Sequence, residues 1–295
     1  MYTPVSFHKT RIAPTPSGFL HLGNVLSFAI TAALARKTGA KILLRIDDLD
    51  RERVNPLYVQ DIFDTLHFLE IPWDEGPRDL RQFEQEYSQL HRMELYQQAL
   101  QQLAASNAVF GCTCSRSRLQ QSEGVYPGTC IASSLNIEMK DINWRLHAGA
   151  DKKVQVKTWP AMYQQHTLPA DMQYFVVKKK DGFPAYQLAS LLDDLHFGVD
   201  LVVRGEDLWP STIAQLYLAS LLQYEHFLES TFYHHPLLMK NKDSKLSKSA
   251  GDTSVQYLRR QGYSASEVYT MIAGMLDHPE PVNNWQQLAA LLVNR

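Results

Sequence analysis

His21 and Gly23 stand at the start of an apolar run, and Lys245 and Lys248 stand more than 220 residues further on. These residue types suit the handling of a polyphosphate. A helix opening near Leu22 turns its first N–H groups and the positive end of its dipole toward the preceding loop, which favours phosphate. A histidine there can donate to a phosphate oxygen or to growing negative charge, and a glycine lets a flat ligand lie against the backbone. Two lysines three apart can fold over a triphosphate, where charge-assisted contacts are strongest. Alone, a histidine at a helix start is as well a capping residue. Only the pairing of the two segments points to a nucleotide.

All three cysteines fall in Cys112-Thr-Cys114 and Cys130. Cys112 and Cys114 are too close to bridge each other comfortably. Thiolates at this spacing suit a tetrahedral zinc ion. Three thiolates leave one position, which a histidine or water could fill, yet no histidine lies between His91 and His147. The alternative is three free buried thiols.

The elements that must position these groups read as an α/β pattern. Phe7 to Ala13 is a strand, Pro14 to Leu20 a turn, and a helix runs from near Leu22 to Thr38, closed by Gly39. Lys41 to Ile46 is a continuous apolar run of the kind buried in a parallel sheet. Asp47, Asp48, Asp50, Arg51, Glu52 and Arg53 follow at its C-terminal end, where open parallel sheets bind ligands. Leu57 to Glu70 and Glu84 to Ser106 have helical spacing. Ser133 to Ala170 is polar and irregular, and Lys180-Asp181-Gly182 forms the turn of a hairpin. Its Lys178, Lys179 and Lys180 read as a solvated hairpin or as contacts to a phosphate backbone. A helix from Pro184 to about His196 and a buried strand Asp200 to Arg204 come next, with short helices at Ser264 to Leu276 and Trp285 to Val293.

The chain has 295 residues, 45% of them hydrophobic, enough for a substantial core in about two domains. No apolar run reaches the roughly 20 residues of a membrane helix, and the N-terminus lacks the apolar core of a signal peptide, so cytoplasmic residence is expected. With 29 basic and 31 acidic side chains, the net charge of -2 gives no general attraction to polyanions. Any RNA contact must therefore come from a local patch.

Pro14-Thr-Pro-Ser-Gly-Phe-Leu-His-Leu-Gly-Asn24 resembles the HIGH region, and Lys245-Leu-Ser-Lys-Ser249 the KMSKS loop, of class I aminoacyl-tRNA synthetases. Arg45-Ile-Asp-Asp-Leu-Asp50 is similar to the R-I-E-D-T/I-D segment of glutamyl-tRNA synthetases. Asp47 here replaces a glutamate that helps hold the substrate amino group, and the missing methylene draws the carboxylate back by about 1.5 Å. Pro184 to Ser190 and Val202 to Asp207 resemble P-x-Y-x-L-A-N and V-I-R-G-x-E/D of that family, with Ser190 in place of the asparagine.

The resemblance implies a fold and a site. The fold is a Rossmann-like class I nucleotide-binding α/β domain (1–108 and 184–232), interrupted by a zinc-bearing α+β insertion (109–183) and followed by a helical part (233–295). The amino-acid pocket would be lined by Arg11, Ala13, Thr15, Asp47, Tyr186 and Arg204. Nucleotide binding would fall to Pro14, Ser17, Gly18, His21, Gly23, Asn24, Lys245, Leu246, Ser247, Lys248 and Ser249, with His21, Lys245 and Lys248 catalytic. In many glutamyl-tRNA synthetases and their short relatives a tyrosine completes the zinc sphere, which implies Cys112, Cys114, Tyr126 and Cys130 as the ligands here. An acidic substrate suits two arginines, because each planar guanidinium matches a carboxylate with two hydrogen bonds. Glutamine would leave one unpaired, at a cost on the order of 2 kcal/mol.

Only 46 residues follow Ser249, so the resemblance stops before a separate anticodon-binding domain. This truncated form most resembles the glutamyl-Q tRNA(Asp) synthetases, which activate L-glutamate with ATP and Mg²⁺ and attach it to queuosine in the tRNA(Asp) anticodon. A monomer is expected. The alternatives are a minimal glutamyl-tRNA synthetase charging the tRNA 3′ end, a small nucleotidyltransferase, and a catalytically silent RNA-binding relative.

Overall fold

The computed structural model describes residues 6–115, 125–133, 135–148, 152–241, 244–245 and 254–293. Strand β1 (Lys9–Ile12) leads into helix α1 (Leu22–Thr38), which returns the chain to β2 (Lys41–Leu44), parallel to β1. Helix α1 ends where expected, because Gly39 takes the left-handed φ of 78° that a C-terminal cap needs. Helix α2 (Pro56–Phe68) is opened by Asn55, whose side chain accepts from the Leu57 N–H, and by a proline in its first turn.

The expected helix from Glu84 to Ser106 is broken in the structure. One helical turn at Leu80–Gln82 passes into a π-turn at Phe83–Tyr87 and a 3₁₀ turn at Gln89–Arg92 before a regular helix, Met93–Ala105. The cause is Asp48, whose carboxylate accepts from the Ser88 hydroxyl at 2.6 Å and from the Gln89 N–H at 2.8 Å. An amide bound to a side chain cannot continue the helical ladder.

Strands β3 (Val109–Cys112), β4 (Asn143–Leu146), β5 (Lys153–Thr158), β6 (Met162–Thr167) and β7 (Val176–Lys178) follow. The stretch read as irregular between Ser133 and Ala170 thus holds three strands. β5 alternates buried and exposed residues over its first four positions, while β6 is exposed along most of its length, so its polar sequence carries no burial signal. The Asp181-Gly182 turn forms as expected, with Gly182 at φ 88° and the Lys179 N–H donating to Phe183 O. Helix Tyr186–His196, strand β8 (Leu201–Gly205), helix Trp209–Leu222, β9 (Thr231–His235), β10 (Met239–Asn241) and β11 (Ser244–Lys245) come next. The helices Val255–Arg260, Ala265–Met275 and Trp285–Val293 complete the chain.

Two compact units result: Met1–His91 with Val199–Asp207 and Tyr233–Arg295, and Arg92–Gly198 with Leu208–Phe232. In the first, β1 lies between β2 and β8, parallel to both. Val25, Leu26, Ala29, Ile30 and Leu34 of α1 are wholly buried, because the helix touches this sheet and also the helix Trp285–Val293. Each such leucine or isoleucine contributes about 1.5–3 kcal/mol on burial. In the second unit, β3, β4 and β7 form an antiparallel sheet and β5 pairs with β6 as a hairpin. Its helices are tied by Asp193, which receives both the Arg92 guanidinium (2.8 and 3.1 Å) and the Tyr96 hydroxyl (2.6 Å). Burial and the Asp193 charge together hold the Tyr96 phenol neutral. Among the described residues, no helix is long and apolar enough to cross a membrane.

Candidate functional site

The turn between β1 and α1 is fixed from the neighbouring strand, since Arg45 N–H donates to Ile12 O and Asp47 N–H to Pro14 O, both at 2.9 Å. Within it the Ser17 N–H donates to Thr15 O at 2.9 Å. Ala13, Thr15, Ser17 and Gly18 are partly exposed and Pro14 is buried. His21 caps α1: its Nδ1 accepts from the Gly23 N–H at 3.1 Å, and its own N–H donates to Asn24 Oδ1 at 3.0 Å. Because Nδ1 accepts, the ring proton sits on Nε2, which makes that nitrogen a donor. Capping and a role toward an anion are thus compatible in one imidazole. A Cβ at Gly23 would lie 3.0 Å from both His21 Cε1 and Nδ1, so any side chain there presses on the ring.

Arg11 on β1 and Arg204 on β8 are 5% and 3% exposed, on strands that lie side by side. Arg11 Nη1 donates to Val203 O at 3.0 Å. Both guanidinium charges act on one further group, His234 of β9. Burial, then Arg204, His235 and Arg11, push its imidazole down to about 3, so it is neutral at physiological pH. Sequence reasoning passed over His234. The only local signal was a pair of histidines in the apolar-flanked run Thr231 to His235. Its neighbour His235 donates from Nδ1 to Pro236 O at 2.9 Å and is also held low by burial. At the end of β8, Gly205 leaves backbone open where a Cβ would meet Asp207 Oδ1 at 2.7 Å and Leu237 Cδ2 at 2.9 Å.

The acidic cluster after β2 divides into separate duties. Asp47 is held by Arg45 in a two-point pair, Nε to Oδ1 at 2.7 Å and Nη2 to Oδ2 at 3.0 Å. Asp48 holds Ser88, Gln89 and Arg51. Asp50 pairs with Arg53 at the exposed edge. Tyr186 opens a helix of the second unit and is exposed, and Ser190 on the same helix is buried. Lys245 lies on β11, its backbone paired to Met239. Leu246, Ser247, Lys248 and Ser249 lie outside the described residues, as does the side chain of Lys245.

The cysteines converge in the second unit. The three Sγ atoms lie within 4.8 Å of one another, all buried. Strand β3 delivers Cys112, and the loop after it delivers Cys114. The Tyr126 hydroxyl accepts the Cys130 N–H at 2.8 Å, and Thr129 Oγ1 lies 3.1 Å from Cys114 Sγ. Arg145 donates from Nε to Cys112 Sγ at 3.2 Å, and its guanidinium stands 4.5 Å over the Tyr126 ring. Burial pushes the Cys114 thiol up. At Cys130 burial acts the same way but is outweighed by hydrogen bonds from the Tyr126 hydroxyl, the Thr113 backbone and the other thiols, which bring it to about 6. A cluster of three buried sulfurs with one thiolate already favoured is a donor set that can hold a metal ion.

The family model described as tRNA synthetases class I (E and Q), catalytic domain, matches residues 8–281. The chain belongs to this family. It is 33% identical over 290 residues to the Glutamyl-Q tRNA(Asp) synthetase of Nitratidesulfovibrio vulgaris, covering 91% of this chain and 87% of that protein. With the Glutamyl-Q tRNA(Asp) synthetase of Symbiobacterium thermophilum it shares 35% over 293 residues, 92% of this chain and 88% of the other. The Glutamate–tRNA ligase of Coprothermobacter proteolyticus is 31% identical over 284 residues, or 90% of this chain, and the match spans 57% of that longer protein. The crystal structure of Glutamate-tRNA Synthetase from Elizabethkingia anophelis superposes with a TM-score of 0.70 at 23% identity, over 96% of this chain and 65% of that one. The solved structure shows the same fold.

Proposed function

We propose that the protein activates L-glutamate with ATP to glutamyl-adenylate, which a ring hydroxyl of queuosine in the anticodon of tRNA(Asp) then attacks, taking the glutamyl group and releasing AMP. The observation that carries the activation step is the placement of two buried arginines beside a neutral histidine on adjoining strands. A dicarboxylic amino acid would bring one carboxylate for each of the two guanidinium groups, and a neutral His234 adds no third positive charge beside them. The glutamate α-carboxylate attacks the ATP α-phosphorus in line, the bond to the bridging oxygen breaks, and pyrophosphate leaves. His21 Nε2–H donates to oxygens on which charge grows, and Lys245 and Lys248 serve the phosphates; positioning replaces any protein nucleophile. Mg²⁺ arriving with ATP would neutralise phosphate charge. Thr15, Ser17, Gly18 and Asn24 belong to the same proposed site as substrate and nucleotide contacts.

We assign zinc to the cysteine cluster, with Tyr126 as fourth ligand. Tetrahedral zinc with Zn–S bonds of about 2.3 Å has sulfurs about 3.8 Å apart. The Cys114–Cys130 separation of 3.6 Å fits that edge. Arg145 would steady Cys112 from outside the sphere.

The names of the Glutamyl-Q relatives support queuosine as the acceptor. Glutamate-dependent ATP–pyrophosphate exchange without tRNA tests activation. Labelled glutamate with queuosine-containing tRNA then tests the acceptor: label on the anticodon base supports the assignment, and label on the 3′ adenosine replaces it with the minimal glutamyl-tRNA synthetase.

A further inference from the structure

Asp61 of α2 is an acid that the proposed chemistry does not use, yet it is 3% exposed. Its carboxylate accepts the Leu20 N–H and pairs with Arg259. Arg259 reaches on to Asp64 at 3.8 Å. Arg259 lies on the helix Val255–Arg260, four residues after Val255, and therefore one turn along the same face. The Val255 N–H in turn donates to Leu20 O at 2.8 Å. The two polar groups of Leu20 are thereby engaged by different elements, one by α2 and one by the later helix. His21 follows directly, pairs with Ser254 in an antiparallel bridge, and leaves Ser254 Oγ to accept the Tyr257 N–H. Phe19, on the other side of Leu20, stands edge-on to Tyr58 of α2 at 4.9 Å.

We propose that Asp61 is a positioning residue for His21, acting with Arg259 as a strut that fixes the Leu20–His21 backbone and the start of the helix Val255–Arg260 in one register. The role rests on the adenylate reading, in which His21 Nε2 must meet phosphate oxygens within a few tenths of an ångström. The strut spans 198 residues of sequence, and its three anchor points, Leu20, Asp61 and Arg259, lie in the same compact unit. Without it, the helix N-terminus and the turn would still exist, because Ser254 and His21 cap them locally, and their relative register would rest on the Val255–Leu20 bond and the His21–Ser254 bridge without the buried ion pair behind them.

The test compares Asp61→Asn, Arg259→Met and Arg259→Lys in the full chain, with Asp64→Asn as the control. Two readouts are used: glutamate-dependent ATP–pyrophosphate exchange, and amide hydrogen exchange at Val255. Expected for Asp61→Asn and Arg259→Met is a kcat lower by about tenfold or more with KM for glutamate within about twofold, since misplacement by an ångström costs up to about a hundredfold. Val255 exchange should speed up in both, Arg259→Lys should recover most of kcat, and Asp64→Asn should match the unsubstituted chain. If Asp61→Asn does not fold, Arg259→Met carries the test, its side chain being 21% exposed. Unchanged Val255 protection overturns the strut whatever the activity. An unsubstituted chain that shows no exchange overturns the adenylate reading instead, and with it the role of Asp61 in the reaction. A parallel loss of kcat and rise in KM, with no rescue by lysine, reduces Asp61 to a stabilising residue.

Discussion

His234 gives a sharp pH test, because its environment is set by groups from three strands. Burial and the charges of Arg204, His235 and Arg11 lower its imidazole from the ordinary 6.5 to about 3. The folded chain therefore holds His234 neutral where the unfolded chain protonates it, so the unfolded state binds more protons below pH 6.5. Stability is fully present above pH 6.5 and is lost as pH falls toward 3. Each unit is worth about 1.4 kcal/mol. Between pH 6.5 and 4.5 this single group removes about 2 kcal/mol, after allowance for its partial exposure to water. The assay is urea denaturation of the unsubstituted chain and His234→Gln at pH 7, 5.5 and 4.5. All other titrating groups are common to both, so the two stabilities should diverge by about 2 kcal/mol from pH 7 to 4.5, the glutamine chain falling less. The imidazole C–H resonance of His234 should also stay unshifted from pH 8 to 5. Parallel loss of stability in the two chains, or a resonance titrating near 6.5, would refute the placement of His234 beside two guanidinium groups.

Cys130→Ser should drop the zinc content from about one per chain toward zero by elemental analysis, and a folded native chain free of metal would end the assignment. Gly76→Ala should cost more than about 3 kcal/mol in thermal unfolding, because Gly76 has φ 98° and an added Cβ would sit 2.2 Å from Leu44 O, a backbone atom that cannot yield. Asp193→Asn should cost about 3–5 kcal/mol by leaving the Arg92 guanidinium buried and under-paired. Adding Arg92→Met should return part of that loss, whereas full additivity would show that the pair does not act as one unit.

Much of the site's local chemistry could be read from the chain. His21 caps α1 where the Pro-Ser-Gly turn meets an apolar helix, Gly39 closes that helix, and Asp181-Gly182 makes the turn, because caps and turns are set by residues within four positions. The clustering of Cys112, Cys114 and Cys130 was likewise visible, since short spacing limits how far thiols can part. What tertiary structure alone decided is partnership across long separations. No local pattern reveals that Asp48 would interrupt a helix by taking Ser88 and Gln89, or that Arg259 would meet Asp61. Nor does any local pattern make His234 a neutral group under the charges of two arginines. Burial and charge at those positions are sums over residues brought together by folding, so they exist only once the sheet and its helices have closed.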